Sequence, residues 1–241
     1  MAKNYFSLCN DILSEMYYEE ADTFADLNDT VEGKRVKRKL NQLNTEITIN
    51  EKDIWTFRER TNTLYLIEGI DKYPMVNGYI EYIVPEKYPA PLLYNPNWKY
   101  LPRNSQGRPI YYRVYNEKIE MFPVPNQSND GLAHEIKYLT YNCAKDNNNC
   151  DIEEMVAEDD EPIIPERYRD ILVYAVCKDL RADINDTKSQ FFDKRYKELY
   201  RSMLSSCNHT ADFPNGLDIN SKIPSLQESM LSVFYNPRAG R

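Results

Sequence analysis

Pro162-Ile-Ile-Pro-Glu-Arg-Tyr-Arg-Asp-Ile-Leu-Val-Tyr-Ala-Val-Cys-Lys-Asp-Leu180, followed by Lys188-Ser-Gln-Phe-Phe-Asp-Lys-Arg-Tyr-Lys-Glu-Leu-Tyr-Arg-Ser-Met-Leu204, decides how the chain folds. In the first stretch Tyr168, Ile171, Leu172, Ala175 and Val176 recur at i, i+3, i+4, i+7 and i+8, the period of one helix face, and Cys177 widens the stripe. Pro165 suits a first helical turn, where its missing N–H costs nothing, and Glu166 sits near the positive end of the helix dipole. In the second stretch Phe192, Tyr196, Leu199, Met203 and Cys207 step by four and three along one seam. Between them, Asn185-Asp-Thr187 has the side chains to end one helix and cap the next. The spacing predicts an antiparallel helical hairpin. Two helices leave their apolar stripes half covered, so other parts of the chain, or other copies of it, must bury the rest.

Working back toward the start, residues 4–18 form an amphipathic pattern, with Tyr5, Leu8, Cys9, Ile12, Leu13, Met16 and Tyr17 on one face. Asp29-Thr-Val-Glu32 has capping-box spacing, and Val36, Leu40, Leu43 and Ile47 continue a second helix. That helix carries the basic run Lys34, Arg35, Lys37, Arg38 and Lys39, which reads either as a solvated face or as a nucleic-acid contact; acidic neighbouring sequence favours the first. Trp55 and Phe57 read as core anchors where helix gives way to strand.

From Thr61 to Asn142 the period drops to two. Thr63–Glu68, Gly78–Val84, Ile110–Tyr115, Lys118–Phe122 and Glu135–Tyr141 predict about five antiparallel strands, with a hairpin turn at Asn116-Glu117. Pro85–Pro109 holds Trp98 and six prolines and reads as a long surface loop. Residues 143–161 carry eight carboxylates against one lysine and read as a solvated acidic loop. Asp146-Asn-Asn-Asn-Cys-Asp151 fails the calcium-loop rule, because Asp151 stands where the loop needs glycine and Ala157 where it needs glutamate. Cys143 and Cys150 have neither a partner pair nor a nearby histidine for zinc. Beyond Cys207 the texture turns rich in Asn, Ser, Pro and Gly, with Leu226, Met230, Leu231 and Phe234 at helix spacing. An amphipathic segment on such a tether reads as a docking arm, or as a last helix lying back on its own domain.

The totals narrow the function classes. The 241-residue chain has a net charge of −8, which speaks against a dedicated DNA-binding face. The start Met1-Ala-Lys-Asn4 has no apolar core, so no signal peptide is expected, and the longest apolar run falls far short of a membrane span. Five irregularly spaced cysteines fit reduced thiols in a cytoplasm. The 20 tyrosines against 8 phenylalanines suit surfaces buried on assembly, or a tyrosine-rich β-domain with no such role. His134 and His209 have no nucleophile beside them, and Gly-x-Gly never occurs. The residues therefore point to no catalytic residue, no metal and no cofactor.

The resulting fold class is α+β: a helical bundle from 1–57 and 162–207, an antiparallel β-domain at 58–142, an acidic loop at 143–161 and an extended arm at 208–241. The order matters more than any one motif. Trp55-x-Phe57-Arg58 closes the first helices, Gly107-Arg-Pro-Ile-Tyr-Tyr-Arg-Val114 leads to Ile119-Glu-Met-Phe-Pro-Val-Pro125, and Ile164-Pro-Glu-Arg-Tyr168 opens the hairpin. In that order the chain resembles the head-to-tail adaptor proteins of short-tailed bacteriophages, the first ring below the portal, also called tail tubular protein A in one branch; its style is similar to proteins of crAss-like phages. The likeness covers residues 5–207, and the chain departs from it at 85–109 and 143–161. It implies a virion structural protein of the tail or neck, assembled in the host cytoplasm as a ring of twelve copies. It further implies docking on the portal protein through Leu226, Met230, Leu231, Phe234 and Tyr235, and a basic patch (Lys34, Arg35, Lys37, Arg38, Lys39) in the ring wall or channel. Tyr94, Trp98 and Tyr100 would form a loop toward downstream tail ring or hub proteins, and double-stranded DNA would pass without specific binding. The rival classes are a glycan- or ligand-binding β-module, with tyrosines and Trp98 stacking on sugars, and a carboxylate-based hydrolase.

Overall fold

The computed structural model describes residues 3–50, 52–88, 90–102, 105–184 and 186–208. Over these residues the protein is α+β, with four α-helices and several small sheets that are antiparallel except for one strand pair.

The first helix, α1 (Tyr5–Glu15), begins at Asn4, whose side chain accepts from the Ser7 N–H. It ends two residues before the sequence period does, because the chain turns there. Tyr18 N–H reaches back to Leu13 and Tyr17 N–H to Ser14, a helix stop that places Tyr17 in the left-handed region at φ 61°. Glycine is the usual residue at that position. Here the tyrosine is held by two cations, Lys188 at 4.5 Å and Arg181 at 5.3 Å from its ring centre. The second helix, α2 (Val31–Thr48), is capped by Thr30 rather than Asp29; Thr30 Oγ1 accepts from Gly33 N–H. The capping-box reading is therefore off by one residue, and glycine occupies the third position. It has to, since a Cβ on Gly33 would lie 2.4 Å from the Leu27 carbonyl oxygen.

Pro165 precedes a short 3-10 turn, Glu166–Tyr168, and α3 (Asp170–Asp183) starts only after it. All six residues of the α3-side stripe are buried. The last helix, α4 (Ser189–Cys207), packs on α3, while α3 also contacts α1 and α2. One core joins the four: Tyr5, Leu8 and Ile12 from α1, Val36 and Leu40 from α2, Ile171 and Val176 from α3, Phe192 and Met203 from α4. The hairpin's apolar face is thus covered by the same chain. Among the helices, Val31 and Phe191 are the large apolar side chains left exposed.

Between α2 and α3 lies the β part, which holds more strands than the expected five, in two sheets. One has the order β1 (Glu59–Tyr65), β7 (Ala133–Thr140), β3 (Gly78–Pro85), with a register shift between Ile80 and Tyr82. The other has the order β2 (Lys72–Pro74), β6 (Lys118–Phe122), β5 (Tyr111–Tyr115), β4 (Leu93–Tyr94). The first strand begins four residues earlier than its alternation suggested. The β5–β6 turn places both Asn116 and Glu117 at positive φ, 48° and 56°, the conformation that lets a two-residue hairpin follow strand twist. The inner faces of the two sheets share a second core of Leu66, Tyr73, Ile83, Tyr112, Ile119, Met121 and Ile136.

Residues 143–161 depart most from expectation. Instead of a solvated loop they form a three-stranded sheet, β9 (Asp151–Ile152), β8 (Ala144–Lys145) and β10 (Glu161–Pro162), with β8 in the middle. Cys143, Ala144, Met155 and Asp160 are buried, and Ala144 and Met155 belong to the helical core. Carboxylates that looked like a charge run serve as acceptors: Asp160 takes the N–H groups of Val156 and Ala157, and Asp146 those of Asn148 and Cys150.

Candidate functional site

The basic run on α2 separates into two faces. Arg35 and Lys39 point at α3 and pair with Asp183 at 2.6 Å and Asp179 at 3.0 Å. Both couples are spaced i, i+4 on their own helices, which run antiparallel, so the rungs align. Lys34, Lys37 and Arg38 lie on the other face and line an open groove of about 680 Å³ with Asn28, Asn41, Gln42 and Thr45. Lys37 is held within it: its ammonium sits 4.1 Å from the Phe24 ring centre and donates to Asn28 at 3.0 Å. Glu46 and Glu154 also line it, so the groove is of mixed charge. A continuous DNA backbone along it would meet those carboxylates, and the arrangement suits local charge pairing over a duplex grip.

Arg181, on the last turn of α3, was not singled out by the sequence pattern. It is buried, donates to the Glu15 carbonyl at 2.5 Å and pairs with Asp186, tying the end of α1 to the linker before α4. Asp186 also accepts from Lys188 N–H at 2.9 Å, but Lys188 itself is the N-cap of α4 and no side chain caps that helix, so the linker cluster turns the chain without capping it.

The proline-rich stretch is folded against the β part rather than looping free. Arg108 stacks on Tyr88 at 3.5 Å, and the Arg113 guanidinium lies 4.2 Å from the Trp98 ring centre. Arg113 also pairs with Glu120 at 2.5 Å, and Lys72 approaches the same buried carboxylate at 3.4 Å. Trp98 is half-buried, with Phe122 at 5.9 Å, so one indole face is already occupied by a guanidinium. Tyr94 is 54% exposed and meets Tyr112 edge-on. Tyr100 ends the 3-10 turn Trp98–Tyr100. The structure therefore brings Tyr94 and Trp98 beside β5, on opposite sides of a strand whose end, Val114 and Tyr115, is exposed.

The titratable groups that burial perturbs lie inside these cores. Burial pushes the Cys9 and Cys177 thiols up to about 12, which keeps them protonated and unreactive at neutral pH. All five cysteines are free. His134, in the middle strand β7, is 1% exposed; burial lowers its pKa, and the nearby Arg108 charge adds to that. No group of three or more His, Cys, Asp or Glu among the described residues is placed to hold a metal ion. No helix among them is long and apolar enough to cross a membrane. Leu226, Met230, Leu231, Phe234 and Tyr235, together with His209, lie outside the described residues.

No protein-family model matches the chain, and a search of curated proteins finds no match to its sequence.

Proposed function

We propose that this chain is the subunit of a ring joining the portal to the tail of a short-tailed phage: a virion structural protein, not an enzyme. The helical part forms the ring wall, with the β part between α2 and α3 projecting toward the tail side. The segment after Asn208 carries the portal contact through Leu226, Met230, Leu231, Phe234 and Tyr235. The ring holds twelve copies, and duplex DNA passes through it without being gripped.

The observation that carries this reading is where the exposed apolar side chains fall. Ten of the seventeen large hydrophobics exposed among the described residues belong to the β part and its connections, including Tyr65, Ile67, Tyr79, Tyr94, Tyr115 and Tyr141. Tyrosine serves such surfaces, since its ring is buried on assembly while its hydroxyl stays compatible with water before it. A net-acidic chain also favours passage of DNA over retention.

The test is direct. Purified chain mixed with portal protein should give closed annuli by negative-stain microscopy, and deleting 208–241 should leave a folded protein that no longer binds portal. Compact solitary molecules, with and without portal, would sink the reading. Binding of sugars by the intact chain on a glycan array would favour the β-module class instead.

A further inference from the structure

The helical part has two unlike outer surfaces, one on α4 and one over α1 and α2. On one side α4 presents a stripe that no other described residue covers: Phe191, Lys194, Arg195, Glu198 and Ser202, at i, i+3, i+4, i+7 and i+11, are all exposed. Arg201 stands beside it. Arg195 and Lys197 have carboxylates within reach on the same helix, Glu198 and Asp193, whereas Lys194 and Arg201 form no ion pair among the described residues. Phe191 is 54% exposed at the head of the stripe. On the other side, residues 153–159 lie over α1 and α2: Phe6 N–H donates to the Glu158 carbonyl and Asn41 to the Met155 carbonyl. There Glu153 and Glu158 are exposed, and Val156 is 67% exposed between them.

Resting on the ring reading above, we propose that neighbouring copies meet through these two surfaces: Phe191, Lys194 and Arg201 of one copy against Glu153, Val156 and Glu158 of the next. Each surface offers one apolar side chain flanked by charges, and the charges are of opposite sign. Because the two surfaces are different, the contact is head-to-tail and repeats until it closes. Duplex DNA is the poorer occupant of the α4 face, because Lys194 and Arg201, on an acidic protein, make too few phosphate contacts.

The full-length chain, run by sedimentation velocity with and without portal, decides the matter. K194E/R201E should weaken self-association by about tenfold or more, since like charges then face each other across the contact. Combining it with E153K/E158K should restore assembly, and Phe191→Ser alone should weaken it with the charges intact. Circular dichroism confirms that each variant is folded. Rings indifferent to K194E/R201E, or a four-fold swap that fails to reassemble, overturn this contact while leaving the ring itself standing. A wild-type chain that never assembles removes both. Loss of duplex DNA binding in K194E/R201E without loss of self-association would overturn the contact in favour of a nucleic-acid surface.

Discussion

Around the helical core the exposed surface is charged: Lys194, Arg195, Lys197, Glu198 and Arg201 stand on α4, while Phe191 and Val31 are the large apolar exceptions on the helices. Around the β core the surface is apolar and tyrosine-rich, with Leu93, Tyr94, Ile110, Val114 and Tyr115 gathered at one edge of the second sheet. The two parts have separate cores, and polar contacts cross between them. Arg58 Nε donates to the Thr140 carbonyl at 3.0 Å, and Arg60 pairs with Asp151 at 2.5 Å. The difference teaches that the two parts offer different chemistry to whatever meets them. Charge pairs set register and are sensitive to salt, whereas buried tyrosine and aliphatic area holds at any ionic strength.

Four measurements break or sharpen that comparison. The largest effect belongs to Trp55, which is fully buried where α2 leads into β1, donates to the Ile47 carbonyl at 2.7 Å, stacks on Phe57 and meets Tyr200 edge-on. Trp55→Ala should cost about 3–5 kcal/mol in urea unfolding. A cost under about 1 kcal/mol would mean that Trp55 is not the joint between the parts. Next, Ile83→Ala in the β core should cost about 2–4 kcal/mol. With Trp55 replaced by Phe, Trp98 becomes the sole indole reporter; its signal should shift while the helical ellipticity midpoint holds. Coincident shifts would show one cooperative unit instead of two.

A smaller effect depends on pH. His134 is neutral in the folded β part, with a pKa lowered by burial, so the unfolded chain binds the extra proton first. Its contribution to stability is present above about pH 6.5, the unfolded value, and is lost as the pH falls from there toward the depressed folded value. Acidification should therefore loosen the β part, read by Trp98, and His134→Gln should flatten that dependence. Unchanged pH dependence in the variant would assign it to other groups. The smallest effect is Tyr200→Phe, which removes a hydroxyl that donates to Asp53 and accepts from Asn50 at 3.1 Å; about 1 kcal/mol is expected. Here the helical transition alone should move.

How much was legible in the residues follows from how local each signal is. The stripes of α1, α2, α3 and α4 were readable because helix periodicity repeats within a few residues, and every stripe residue named for α3 is buried. Rungs such as Arg35–Asp183 and Lys39–Asp179 left a weaker trace, two i, i+4 couples of opposite sign far apart in the chain. The acidic stretch misled because composition alone cannot tell a solvated carboxylate from one that accepts backbone N–H groups, as Asp160 and Asp146 do.

By itself, then, the order of residues settled which segments become helices, where alternation replaces them, and that the protein is α+β; those properties come from interactions between neighbours in the chain. Tertiary structure alone decided that α1 and α2 cover the hairpin, that the proline-rich stretch lies on β5 through Arg113 and Trp98, and that residues 153–159 lie against α1 and α2 while α4 packs on α3. Each of those joins residues tens of positions apart, and a pairing at that distance is selected by the whole packed core rather than by any local pattern.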